Sequence, residues 1–209
     1  MSRQSNNKLL KALSKSMLLF VAAFTLTACH TVQNNQCDFK TEWDVLNEKA
    51  RIKINQLNNY FDFILDKTNS PQDKNDTIEQ ALSLFIGEGK EFYDFYDNYV
   101  PASLVEISDF NKVTNRMTIK EQTIQSFLNR LKNLGNKEVQ VTDCDAFYIT
   151  NVRKIGCKKY EASLSYVPFR LREGRIICRD RTDKTIKVNL DKRTIEKGVL
   201  LGNIKVKVQ

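Results

Sequence analysis

The spacing of apolar residues changes partway along this 209-residue chain, and that change constrains its fold more than any other feature. Over residues 41–66, Trp43, Leu46, Ala50, Ile54, Leu57, Phe61 and Ile64 recur at alternating three- and four-residue steps, which places them along one face of an α-helix. From about residue 138 onward the step falls to two. Ile186, Val188 and Leu190 alternate with Lys187 and Asn189, and Ile204, Val206 and Val208 alternate with Lys205 and Lys207. That is the pattern of strands with one solvated face, so the chain is expected to be α+β, with N-terminal helices packed on an antiparallel sheet.

Local signals mark the elements between these two regions. Thr41 caps the first helix, and the polar break at residues 67–73 ends it. Asp76-Thr77-Ile78-Glu79 predicts a second helix over residues 77–86 that Gly87 and Gly89 terminate, and residues 104–110 alternate as a first strand. Thr118-Ile119-Lys120-Glu121 has the form of a capping box. With Ile124, Phe127, Leu128, Leu131 and Leu134 behind it, it predicts a helix over residues 118–134, stopped at Gly135. Four successive strands are predicted at 139–150, 160–171, 175–190 and 199–208, with turns near Gly156, at Arg172-Glu173-Gly174 and at Asp191-Lys192-Arg193. This order across residues 41–208 resembles the nuclear transport factor 2-like (cystatin-like) cone, in which a strongly curved antiparallel sheet wraps around helices. In enzymes of that superfamily an Asp/His pair inside the cone does acid–base work. The resemblance implies a cone without that pair here, because the sole histidine, His30, precedes the domain.

At the amino terminus a basic, acid-free stretch (Arg3, Lys8, Lys11, Lys15) leads into the apolar run 17–24 and then into Leu26-Thr27-Ala28-Cys29. The apolar run is well short of the roughly twenty residues that span a bilayer, so it reads as a secretory signal. Its ending resembles the lipobox of bacterial lipoproteins. That resemblance implies cleavage before Cys29, a diacylglycerol thioether on its sulfur and acylation of the new amino group, giving the two chains a stable anchor requires. The chain is then expected to comprise a signal peptide at 1–28, a lipidated polar tether at 29–37 and a single domain at 38–209. By the same resemblance, His30 after the lipid cysteine favours the outer membrane. No acid precedes Asp38, which favours the periplasmic face.

The formal charge of +8 includes four signal-region cations, which leaves +4 on the mature chain. Residues 29–110 hold seven Lys/Arg against fifteen Asp/Glu, and residues 111–209 hold twenty-two against ten. The two halves should attract each other or face different partners. A basic chain ordinarily raises nucleic acid as a partner, but an envelope lipoprotein rarely meets any, so none is expected.

With His30 in the tether, neither a Ser-His-Asp nor a Cys-His arrangement can form in the domain, and no enzyme activity, cofactor or metal is expected. Cys37, Cys144, Cys157 and Cys178 match no zinc spacing. The predicted turns place Cys144 opposite about Tyr166 and Cys178 opposite about Pro168, two strands apart and beyond disulfide reach, so both are expected as free thiols; Cys37–Cys157 is left open. Lysines flank Cys157 on one side, as solvated turn residues commonly do, and Asp143 and Asp145 share a strand face that either binds a cation or is simply solvated.

Two features point to recognition. Phe92, Tyr93, Tyr96 and Tyr99 sit among acids as a platform for sugar rings or peptide, or else Phe92, Phe95, Tyr96 and Tyr99 form one helical face packed on the core. Arg170, Arg172, Arg175, Arg179 and Arg181, five arginines in twelve residues, suit carboxylates and phosphates, or else protect a sheet edge from aggregation. The sequence therefore reads as a non-catalytic, membrane-anchored interaction or assembly module whose partner is an envelope protein or an anionic glycan or lipid. Its rival is a small-ligand-binding protein or enzyme with a pocket inside the cone.

Overall fold

The computed structural model describes residues 38–135, 137–167, 169–172, 175–178 and 184–209, with the side chains of 38–44 and 166–184 outside that description. The chain divides into two compact units, Met1–Val45 and Leu46–Gln209; of the first, only the opening of helix α1 is described. Helix α1 (Asp38–Leu65) begins ahead of Thr41, which therefore lies inside it and does not cap it; along the expected stripe Ala50, Leu57, Phe61 and Ile64 are fully buried. Helix α2 is Pro71–Leu82, six residues earlier at its start than the predicted helix 77–86. Ser70 is its N-cap, with Oγ accepting the Asp73 N–H (3.1 Å), and Pro71 occupies the first turn, where its missing N–H costs nothing. The predicted break thus ends α1 at Leu65 as expected, but its last residues, from Pro71, already belong to α2.

The element order continues with hairpin β1 (Phe92–Tyr93) and β2 (Tyr99–Val100), then β3 (Leu104–Asn111), β4 (Arg116–Thr123), α3 (Ile124–Leu131), β5 (Val139–Gly156) and β6 (Lys159–Val167). It ends with β7 (Phe169–Arg172), β8 (Arg175–Cys178), β9 (Lys184–Leu190), α4 (Lys192–Lys197) and β10 (Val199–Val208). The fold is α+β, with four helices among the described residues and a strongly curled six-stranded sheet of order β4-β3-β10-β5-β6-β9. The sheet is mixed rather than antiparallel throughout, because β10 runs parallel to β3, with Ile204 beside Val105 and Val206 beside Ile107.

Three further expectations are corrected. Thr118-Ile119-Lys120-Glu121 is not a helix start but the middle of β4; the cap of α3 is Thr123, extended at φ −66°, ψ 151°, whose Oγ1 accepts the Ser126 N–H. Within 160–171 and 175–190 the described residues belong to different sheets: β6 and β9 to the six-stranded one, β7 and β8 to a separate two-stranded one. Asp191 does not sit in a turn but caps α4, accepting the Thr194 N–H at 2.8 Å. Register also moves the cysteines. Phe147 rather than Cys144 faces Tyr166, and Cys144 faces Ile204, while Cys178 faces Phe169, within one residue of the expected position. Cys144 and Cys157 are free, the first buried and the second exposed.

Alternation along β5 and β10 sorts apolar side chains to two faces. Cys144, Ala146, Tyr148, Leu201 and Val206 join the helices in the main core, where Phe61 and Phe127 meet edge to face at 5.6 Å. Phe147, Ile149 and Leu200 point the other way, toward Leu164, Ile186 and Val188, and form a second core with Ile86, Phe92 and Val100. The sheet is therefore covered on both faces at this end, not on one, and the cover over the second face is the segment that follows α2.

Candidate functional site

After Leu82 the chain must leave the helix-covered face and cross to the other. Leu201 N–H donates to the Leu84 carbonyl (2.9 Å), pinning the exit to β10. Gly87, Glu88 and Gly89 then all take left-handed conformations, at φ 58°, 53° and 73°. Glycine is required at 87 because a Cβ there would lie 2.4 Å from the Phe92 ring, and Glu88 holds this conformation without being a glycine, a local strain. The stretch read from sequence as a helix stop is a backbone reversal.

The reversal delivers residues 91–99 as a β-hairpin, which overturns the expectation of a helical aromatic face. Asp94, almost fully buried, organises its tip: Oδ1 accepts the N–H groups of Tyr96 (2.8 Å) and Asn98 (2.9 Å), and Oδ2 accepts Asn98 Nδ2 at 3.0 Å. The Phe95 N–H donates to the Lys187 carbonyl (2.7 Å), so the tip hooks over β9, the edge strand of the sheet. Of the predicted platform residues, Phe92 turns inward, packed against the second core, while Tyr93, Tyr96 and Tyr99 stay outside at 69, 56 and 54% exposure, joined by Phe95. Tyr93 and Tyr99 stack edge to face at 5.8 Å, and the Lys187 ammonium lies 5.1 Å from the Tyr96 ring centroid. The neighbouring Tyr96 side chain raises the Lys187 pKa, and a hydrogen bond to Glu91 raises that of Tyr99.

Between this strap and α4 lies an open cleft of about 740 Å³. Leu164, Val188 and Leu200 form its apolar floor; Glu88 and Tyr93 stand on one side, Asn189 and Arg193 on the other. Lys197 clamps α4 to the end of α2, donating to the Ser83 carbonyl at 2.9 Å. Close to Lys197 is Lys53 on α1, only 5% exposed, whose pKa is pushed down to about 8 by burial and by that second ammonium. The cleft lies against the second core, not between helices and sheet, where Leu57, Phe61, Phe127 and Leu131 fill the space. Its volume falls within the range of small-molecule sites, and its lining mixes an apolar floor with polar groups.

The other sequence-derived candidates fall partly or wholly outside the described residues, or border other surfaces. Arg172 faces Arg175 and Arg170 faces Ile177 in the β7–β8 register; their side chains, and Arg179 and Arg181 altogether, lie outside the described residues, as does Cys29. Asp143 and Asp145 border a smaller groove with Glu106, Glu121 and Lys205, and among the described residues no group of three or more His, Cys, Asp or Glu side chains is arranged to hold a metal. Burial, first of all, raises the Cys144 pKa well above its ordinary value, which disfavours its thiolate. Glu88, Asn189 and Arg193 carry no sequence signal, being ordinary residues that meet only through tertiary structure. No family model, curated protein or solved structure matches the chain.

Proposed function

We propose that this chain is a bacterial lipoprotein, anchored through Cys29 at the outer membrane and facing the periplasm, whose domain is a non-catalytic recognition module. One observation carries the recognition reading: the cleft beside four exposed aromatic rings held on a strapped hairpin. Rigid Tyr and Phe side chains contribute contact area at little entropic loss, and a tip organised by a buried carboxylate is preorganised for binding. The helix-then-sheet order and the curl of the sheet support assignment to the nuclear transport factor 2-like cone. The basic β7–β8 hairpin adds an approach to anionic partners. Among the described residues no helix is long and apolar enough to cross a membrane.

Anchoring and recognition are tested separately. Cys29→Ser should leave a full-length precursor that is neither acylated nor cleaved; processing at the same bond with unchanged membrane attachment would sink the lipoprotein reading. For recognition, a photo-crosslinking residue placed at Tyr93 in the full chain should form an adduct in membranes that is lost when Leu200→Trp fills the cleft floor. An adduct indifferent to that filling means the cleft is not the binding site.

A further inference from the structure

Away from the cleft, the β3–β4 hairpin exposes several large apolar side chains among the described residues. In its register Phe110 faces Met117 and Ser108 faces Ile119, so Phe110, Met117 and Ile119 share one side of the ribbon. Arg116 and Lys120 alternate to the opposite side. Met117 and Ile119 are each 62% exposed and Phe110 41%, while Val113, in the turn, is 95% exposed. The stretch between Asp109 and Glu121 contains Lys112, Arg116 and Lys120 and no acid, and Asp109 is itself paired with Lys137 at 3.7 Å. Asn111 Oδ1 accepts the N–H groups of Val113 (2.9 Å) and Thr114 (3.1 Å), so the turn that presents Val113 is held in shape.

We infer that the distal end of the β3–β4 hairpin is a membrane-contacting element that inserts Val113 and the Phe110–Met117–Ile119 side into an anionic lipid surface, with Lys112, Arg116 and Lys120 on the headgroups. Apolar side chains gathered at a protruding end are characteristic of interaction sites, and a flank of cations selects a partner of negative charge. Long basic side chains can lay their stems along the apolar boundary and keep their charges among the phosphates. The acids Glu106 and Glu121 lie nearer the base of the ribbon on the same side as Ile119, which makes the contact tip-first and not flat along the strand. This surface is distinct from the aromatic cleft and does not depend on acylation of Cys29.

Since the chain has a single tryptophan, Trp43, the full-length unlipidated protein carrying Trp43→Phe and Val113→Trp reports on this site alone. With vesicles containing phosphatidylglycerol, its emission should shift to the blue and be quenched by brominated acyl chains. Adding Lys112→Gln and Arg116→Gln should raise the lipid concentration needed by about thirty-fold, since each cation near an anionic surface contributes about five-fold, and added salt should act in the same direction. Four outcomes would overturn the inference: no spectral change with anionic vesicles, an equal change with purely zwitterionic ones, no effect of the double neutralisation, or a shift that follows protein concentration without lipid, which would mean a second copy covers the hairpin. Val113 is almost wholly solvated, so an unchanged circular dichroism spectrum and melting temperature should accompany the substitution.

Discussion

Lys53→Met should make this protein more stable. The lysine projects from α1 at 5% exposure, and burial together with the nearby Lys197 ammonium lowers its pKa from 10.5 to about 8. At about 1.4 kcal/mol for each pH unit of displacement, holding that charge in the folded state at neutral pH costs about 3 kcal/mol. Methionine keeps the length and flexibility of the side chain and removes the charge. Below about pH 8 the lysine is protonated in both folded and unfolded chains, and the full cost applies. Between about 8 and 10.5 the unfolded chain still binds a proton that the folded one has released, so the stability of the unsubstituted protein rises with pH through this window. Guanidinium unfolding at neutral pH should place the variant about 3 kcal/mol above the parent, equivalent to about 6–12 °C in melting temperature. The gap should narrow toward zero by the upper end of the window. If Lys53→Met instead destabilises at neutral pH, or if the gap is the same at both ends of the window, the ammonium is not an uncompensated buried charge and the reasoning fails.

Two other substitutions probe the strap over the cleft. Gly87→Ala puts a Cβ 2.4 Å from the Phe92 ring at a left-handed φ, so it should lower stability by about 2–4 kcal/mol in denaturant unfolding. A loss under 1 kcal/mol would mean that the reversal is more yielding than its geometry implies. Asp94→Ala leaves the Tyr96 and Asn98 N–H groups without their acceptor and should cost about 1–3 kcal/mol. Hydrogen exchange should show faster exchange at Tyr96 and Asn98 with little change in α1; equal protection in both proteins would show that the carboxylate does not organise the tip.

The α+β class and the apolar stripe of α1 were legible from the chain alone, because a helix face and a strand face are set by the local period of apolar residues. So was β10, whose alternation of Ile204, Val206 and Val208 with two lysines survives unchanged in the fold. Short capping signals proved ambiguous where more than one reading fits the same residues. Ser70-Pro71 opens a helix that resembles a break, and Thr118 to Glu121 form a strand that resembles a cap, since β3 supplies backbone partners that no local motif reports. Sheet order, the parallel β3–β10 pairing and the coverage of the second face depend on residues about a hundred positions apart, such as Val105 and Ile204. The cleft belongs to the same class. Glu88 and Tyr93 on one side and Asn189 and Arg193 on the other come together only because three left-handed residues carry the strap across and the Phe95 N–H hooks it to Lys187. Periodicity determines which side chains are buried in each element. Which buried and exposed groups converge on a site is decided by long-range hydrogen bonds and packing, and these leave no period in the chain.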